Sequence, residues 1–430
     1  MTGFTSIPGV TLDPSQRRAV DLACTATLGI ITGGPGTGKT TCLRYALDIL
    51  DDRGESYELA APTGKAAKRM QETTGRWTAR TIHRLLEYHP HHGWQRNRRH
   101  PLDTDVVIVD ESSMIDVELA ARLTDAIDVT RTRLIMIGDA NQLPPVGPGR
   151  VFGDLVDSGL VPTVRLQTLH RAALESWVCQ NAPRVLTGEM LELKPRRDFL
   201  WVEVEHAADV LEHVRRMVVE HLPEYAGLDA QALIPQRPGV AGILAANRVL
   251  QHALNPRADG TPYLQRGREG DDDRAELRVG DRVIQTRNDY AIEVFNGEVG
   301  AITDIAAGHV RVDFAGREIV TYTLEQANAL ELAYALTVHR AQGSEFPWVV
   351  AVCHSTHSYV LSRQLLYTAI TRAKVGVVLI GDDRGLHRAL SDARPPTRHT
   401  TLIERIRARL PAADPTDPTT EPTQPTRPSP

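Results

Sequence analysis

Ile30-Ile31-Thr32-Gly33-Gly34-Pro35-Gly36-Thr37-Gly38-Lys39-Thr40-Thr41 decides the fold. Gly33, four intervening residues and then Gly38-Lys39-Thr40 satisfy every fixed position of a phosphate-binding loop. An apolar β-branched run enters the loop, and a helix predicted from Thr40 to Leu50 leaves it. Glycines at Gly34, Gly36 and Gly38, with Pro35, Thr37 and Thr41 around them, let backbone N–H groups turn inward around phosphate oxygens. The following helix adds the positive end of its dipole. In this pattern Lys39 reaches the β and γ phosphates of a nucleoside triphosphate, and Thr40 places its hydroxyl on Mg2+.

Upstream, Asp13-Pro14-Ser15-Gln16 reads as a helix start, with Asp13 as N-cap and Pro14 in the first turn. Gln16 lies just ahead of the nucleotide loop, either as a reader of the adenine edge or as a helix-surface residue. Downstream, Val106-Val107-Ile108-Val109 is apolar throughout, as in a parallel strand covered on both faces, and it ends in Asp110-Glu111. Carboxylates at such a strand end lie in the ligand crevice, so Asp110 would hold Mg2+ and Glu111 would orient or deprotonate the attacking water. A third such strand, Leu134 to Ile137, ends in Gly138-Asp139-Ala140-Asn141-Gln142, which puts Asp139 and Gln142 near the γ-phosphate. Strands with polar ends separated by helices define an α/β fold of the doubly wound type.

Between Gly64 and His100 there are nine Lys/Arg and two acidic residues, interleaved with five histidines, Trp77, Tyr88 and Trp94. Cations for phosphates and rings for bases suit a nucleic-acid path, although a basic helical face has the same composition. The overall charge of −5 excludes indiscriminate coating of nucleic acid without excluding a basic groove. The four cysteines are scattered, so neither a disulfide framework nor a zinc site is expected, in keeping with a reducing, cytoplasmic setting. The N-terminus lacks the pattern of a secretory signal, and no apolar run is long enough for a membrane span. From Asp281 to Tyr322 the period shortens to that of small strands punctuated by Asn296-Gly297 and Ala315-Gly316. Arg257 to Ala275 reads as a polar loop, and a helix is predicted from Ser362 to Lys374. Residues 411–430 hold seven prolines and five threonines and are expected to be disordered.

Taken together, these blocks resemble superfamily-1 DNA helicases of the RecD-like, 5′→3′ class. The resemblance runs from about Leu12 to Asp382. It is carried by Gly33–Thr40, Ala61–Ala67, Thr81–Leu86, Asp110-Glu111, Gly138–Val146, Thr337–Glu345 and Leu366–Lys374, all in order. It implies two RecA-like P-loop domains with ATP and Mg2+ between them, a short β-hairpin insertion and a small SH3-like β-barrel insertion. The corresponding ranges are 1–165 for the first domain, with the hairpin at about 88–102, then 166–295 and 331–395 for the second, and 296–330 for the SH3-like piece.

The resemblance further implies that Gln16 contacts adenine, Glu345 contacts the nucleotide, Gln142 senses the γ-phosphate, and Arg171 and Arg372 act as arginine fingers. Pro62, Thr63, Gly64, Lys65, Thr81, His83, Thr337 and His339 would line a channel for single-stranded DNA. Trp94, in the hairpin, would serve as a wedge at a junction of single- and double-stranded DNA, or pack inside the hairpin. After Asp110-Glu111 the chain reads Ser-Ser-Met where family members often carry Val-Ser-Met, which removes no charge. The implied activity is ATP-driven 5′→3′ movement with duplex separation, in DNA repair and recombination. Translocation without strand separation and action on RNA stay open at the level of sequence.

Overall fold

The computed structural model describes residues 12–169, 174–222, 229–267, 275–314, 318–393, 398 and 400–409. Arg171 and the 411–430 segment lie outside them. The first sheet is built from β1 (Leu28–Gly33), β2 (Tyr57–Ala61) and β3 (Arg80–Thr81). After the hairpin strands β4 (Tyr88–His89) and β5 (Gly93–Trp94), it continues with β6 (Val106–Val109), β7 (Arg133–Gly138) and β8 (Thr163–Leu166). The order is β3-β2-β6-β7-β1-β8, and every pairing is parallel.

The apolar run of β6 explains why both faces must be covered. Val106 and Ile108 face a core made with helices α1 (Pro14–Thr25) and α2 (Lys39–Asp52). Val107 and Val109 face the opposite core, with Leu119, Leu123, Phe152 and Leu155 from helices Val117–Asp125 and Val151–Ser158. This alternation about a parallel sheet places the ends of β1, β6 and β7 side by side at one edge.

The second sheet contains β9 (Phe199–Glu203) and β10 (Ala230–Ile234) early in the chain. Between them and the rest come β11 (Tyr263–Arg266), β12 (Ala275–Arg278), β13 (Arg282–Gln285), β14 (Val299–Ala306), β15 (His309–Asp313), β16 (Val320–Thr323) and β17 (Leu330–Leu332). The sheet is completed by β18 (Ala335–Thr337), β19 (Phe346–Cys353) and β20 (Ala373–Gly381), in the all-parallel order β18-β10-β19-β20-β9. Strands β13 to β17 form a separate antiparallel sheet, ordered β16-β15-β14-β13-β17. Its apolar face, with Ile302, Val310, Val312, Phe314 and Tyr322, is continuous with the core of the second domain.

Three local expectations change. The insertion's sheet opens at Arg282, ahead of the expected 296 boundary, because β13 pairs with both β14 and β17. The stretch read as a loop from Arg257 to Ala275 contains β11, which is paired antiparallel with β12 through backbone groups that polar side chains do not betray. The helix predicted to run to Lys374 covers Arg363–Ile370, since Ala373 already pairs with Phe346 in the sheet.

Close to the chain's end, helix Leu402–Arg407 returns to the first domain and sets Leu402 and Ile406 against its core. Arg398 donates to the carbonyls of Pro145, Gly147 and Gly149 in that domain. In the second sheet, a Cβ at Gly376 would stand 2.5 Å from the ring of the fully buried Trp348. Gly376→Ala is therefore expected to destabilise this sheet by about 1–3 kcal/mol through overpacking. The check is a lower urea midpoint followed by Trp fluorescence.

Candidate functional site

The loop after β1 is shaped from within. Gly36 and Gly38 take φ of 71° and 86°, in the left-handed region that side chains resist. A Cβ at Gly33 would stand 2.6 Å from Thr37 Oγ1 and 2.9 Å from the Leu166 carbonyl. Thr37 Oγ1 donates to the Gly34 carbonyl at 2.9 Å, and Lys39 Nζ donates to the carbonyls of Gly33 (2.6 Å) and Gly34 (3.0 Å). Helix α2 has no side-chain cap, so its first N–H groups face the loop without a side-chain acceptor.

Gln16 is 2% exposed, and its carboxamide has two structural duties. Its Oε1 accepts from Asp13 N as half of a capping box, and its Nε2 donates to the Thr37 carbonyl at 3.4 Å. The residue thereby ties the start of α1 to the phosphate loop.

Gly34, Pro35, Gly36, Gly38, Lys39 and Thr40 line a cleft of ≈ 400 Å³, joined by Asp110, Glu111 and Gln142 from the first domain and Glu345 and Arg372 from the second. Thr41, next on α2, is half-buried behind them. Burial, reinforced by the adjacent Glu111 carboxylate, pushes the Asp110 carboxyl above the usual carboxylate range. Such close packing of two acids favours a cation. Glu111 holds φ of 51°, a strained conformation for a side chain of this size, and it is buried.

Gln142 Nε2 donates to Asp139 Oδ2 at 3.4 Å, whereas its buried Oε1 has no hydrogen-bond partner among the described residues. Arg372 is 2% exposed, with Nη1 on the Ser344 carbonyl at 3.3 Å and a buried Nε likewise without a partner. Two orphaned polar atoms, one from each domain, thus border the same glycine-lined cradle. A triphosphate, rich in acceptors, and its attendant water fit that donor and acceptor set, with Thr40 and Asp110 available to Mg2+.

Sequence reasoning missed the residues that cross the cleft. Arg69 Nη1 donates to Glu111 Oε1 at 3.2 Å, and its Nη2 lies 2.5 Å from Glu345 Oε1. Glu345, expected at the nucleotide, is thus held in ion pairs, the second with Lys374 at 3.8 Å. Tyr367 Oη donates to Asp139 Oδ2 at 2.6 Å, the Leu143 N–H to Thr368 Oγ1 at 2.9 Å, and Gln342 Nε2 to the Leu143 carbonyl at 2.7 Å. Burial and the Asp139 carboxylate keep the Tyr367 hydroxyl protonated as a donor. The only local hint was that Arg69, Gln342 and Tyr367 stand within or beside the motif blocks.

A groove runs behind this cleft. Pro62, Thr63, Lys65, His339 and Arg340 line one part of it, and Gly64, Lys65, Trp77, Thr81, Arg84 and Phe295 the next. His83 lies further along, where the hairpin meets the insertion. Three hydroxyls expected to grip phosphates already accept backbone N–H groups: Thr63 from Ala66, Thr81 from Arg84 and Thr337 from Arg340. Each caps a turn through its oxygen, which leaves the hydroxyl proton available to donate. The Trp94 ring packs on Tyr88 (4.6 Å) and His83 (5.1 Å), inside the base of the hairpin, which leaves His89 to His92 at the tip. The hairpin is braced on the insertion by Tyr88 against Tyr290 and by Arg84 against Glu293 and Phe295.

Comparison with known proteins bears directly on this arrangement. The RecBCD enzyme subunit RecD of Mycobacterium tuberculosis is 30% identical across 91% of this chain and 73% of its own length. That of Mycolicibacterium smegmatis is 32% identical across 91% and 74%. The chain belongs to the RecD-like helicases. Within the RecD-like chain, residues 246–314 match the ATP-dependent RecD-like DNA helicase SH3 domain, 16–148 an AAA domain and 332–380 a UvrD-like helicase C-terminal domain. The ATP-dependent RecD2 DNA helicase of Deinococcus radiodurans is 39% identical over 92% of this chain, which spans 53% of that relative's length. Among solved structures, the Pif1 helicase from Bacteroides in complex with ADP-AlF3 and ssDNA shares the fold at 17% identity (TM-score 0.55; 93% of this chain, 97% of that one). Pif1 from Candida albicans does so at 18% (TM-score 0.53; 93% and 99%). The RecD-like architecture is thus two RecA-like domains with an SH3-like insertion. None of the helices among the described residues is long and apolar enough to cross a membrane.

Burial lowers Lys65 to about 8, with Glu298 opposing and Arg282 adding to that effect. Lys65 is therefore charged below about 8 and neutral above it. Affinity for a single-stranded oligonucleotide is expected to fall between pH 7 and pH 9 more steeply in the wild type than in Lys65→Met. Fluorescence anisotropy at fixed ionic strength reads this, and equal pH slopes would exclude a phosphate contact for Lys65.

Proposed function

We propose that the chain is the motor of an ATP-dependent DNA helicase that moves 5′→3′ along single-stranded DNA and separates duplex ahead of it, in the cytoplasm. The observation that carries this reading is the cleft itself. Its phosphate loop belongs to one domain, and the buried Arg372, whose Nε has no partner among the described residues, belongs to the other. A site completed across two domains makes their separation depend on what the nucleotide is, so each hydrolysis event can shift one domain against the other.

In this proposal Lys39 and the loop hold the β and γ phosphates, and Thr40 and Asp110 hold Mg2+, which supplies charge neutralisation on the phosphates. Gln16 is assigned to the adenine edge, Gln142 to the γ-phosphate and its water, and Glu111 to the removal of the water's proton. Arg372, with Arg171, offers a rigid fork to the transferring phosphoryl oxygens. The two RecA-like units would span 12–166 and 177–391, the second interrupted by the insertion at about 263–332. The groove through Thr63, Lys65, Thr81, His83 and His339 is assigned to single-stranded DNA, and the braced hairpin to the junction. Because Trp94 is packed in the hairpin base, the wedge is assigned to the tip, His89 to His92. A hairpin with such support favours strand separation over bare translocation.

Lys39→Ala is expected to abolish ATP turnover while DNA binding stays measurable, and Glu111→Gln to bind ATP while slowing hydrolysis by about 10²-fold or more. Undiminished turnover in Lys39→Ala would remove the nucleotide assignment. For polarity, a duplex with a 5′ single-stranded tail should be unwound faster than one with a 3′ tail; the reverse order would overturn the direction.

A further inference from the structure

Helix α3 (Gly64–Thr74) touches both halves of the machine. At its first turn Lys65 lines the groove beside Thr63 and the second domain's His339 and Arg340. One turn later, at i+4 on the same helix, Arg69 lines the nucleotide cleft. A single rigid turn therefore connects the two sites.

The guanidinium of Arg69 is shared between two carboxylates. One is Glu111 Oε1 of the first domain at 3.2 Å, the other Glu345 Oε1 of the second at 2.5 Å. The shorter contact crosses between domains, so the grip on Glu111 depends on how the domains stand. The planar fork suits this double engagement, which a point-charge ammonium does not reproduce. A carboxylate occupied by a cation also turns an oxygen away from any water it would deprotonate. Glu111 has no easy alternative placement, because its backbone is fixed at φ 51° and the side chain is buried.

We propose that Arg69 is a positioning residue that holds Glu111 away from the attacking water until single-stranded DNA fills the groove at the other end of α3, and so makes ATP turnover depend on DNA. This rests on the helicase reading above, with Glu111 as the base. DNA bridging Lys65 and the second domain's His339 and Arg340 resets the position of Glu345 relative to α3. The fork follows Glu345, its shorter contact, and lets go of Glu111, whose oxygen is then free to meet the water.

The test is steady-state ATP hydrolysis by the full chain, with and without a poly-dT oligonucleotide, in wild type, Arg69→Ala and Arg69→Lys. In Arg69→Ala, DNA-free kcat should rise about tenfold or more, the factor corresponding to release of one charge-assisted hydrogen bond. Its DNA-stimulated kcat should stay near that of the wild type, and its KM for ATP within about threefold, so that the effect lies in kcat. The ratio of stimulated to basal rate should collapse accordingly. Arg69→Lys keeps the charge but loses the fork, and should show the same loss of stimulation. A preserved stimulation ratio in Arg69→Ala, or basal and stimulated rates falling together, overturns the proposal, as does wild-type behaviour in Arg69→Lys. A wild-type enzyme that DNA fails to stimulate would instead overturn the helicase reading on which it rests.

Discussion

The buried hydrogen bond from Tyr367 to Asp139, at 2.6 Å, is the contact on which the two-domain arrangement turns. It joins the helix before Arg372 to the loop that carries Gln142, so it sets the distance across which phosphate chemistry takes place. Burial makes a charge-assisted bond of this kind strong, and removing the Tyr367 donor from Asp139 would cost about 1–3 kcal/mol. Leu143 to Thr368 and Gln342 to Leu143 extend the same seam. The seam is polar and directional, not a broad apolar face. Each contact is either made or broken, which suits domains that must separate and return to one register.

Polarity also explains how an acidic protein presents a basic groove. The formal charge is −5, yet Lys65, Lys68, Arg80 and Arg84 are gathered along one wall beside the exposed Trp77. Net charge governs behaviour at long range, and the local arrangement governs what the wall attracts. Two of these cations are already paired, Arg80 with Glu58 and Arg84 with Glu293, so in the proposed function an incoming phosphate would compete with a carboxylate. Such competition would favour contacts that are readily exchanged as a strand slides.

What was legible in the sequence was local. The phosphate loop, the apolar strand before Asp110-Glu111 and the polar ends of β1, β6 and β7 announce themselves because each needs only neighbouring residues to make physical sense. Burial on both faces of β6 followed from four consecutive apolar residues. What stayed hidden was relational. Tyr367 and Asp139 lie 228 positions apart, and neither residue type signals the other. Arg69 reads as one more cation on a basic helix until the fold sets Glu345 against it. Gln16 reads as an adenine contact or a helix-surface residue, yet its capping-box partner Asp13 stands three residues away and is the readable clue. The period change at Asp281 already marks where the insertion's sheet opens, whereas the 296 boundary that the resemblance implied left Val283 and Ile284 in the second domain. Trp94 shows the limit for aromatics, since wedge and packing call for the same ring and only its neighbours Tyr88 and His83 distinguish them.

Helix Leu402–Arg407, set against the first domain together with Arg398, changes the mechanics of the pair. The polypeptide passes from the first domain to the second after β8 and comes back after Ser391, so the domains are attached at two points. One attachment would act as a ball joint and leave three rotations free. Two attachments define an axis, and motion about it is the one rotation that strains neither.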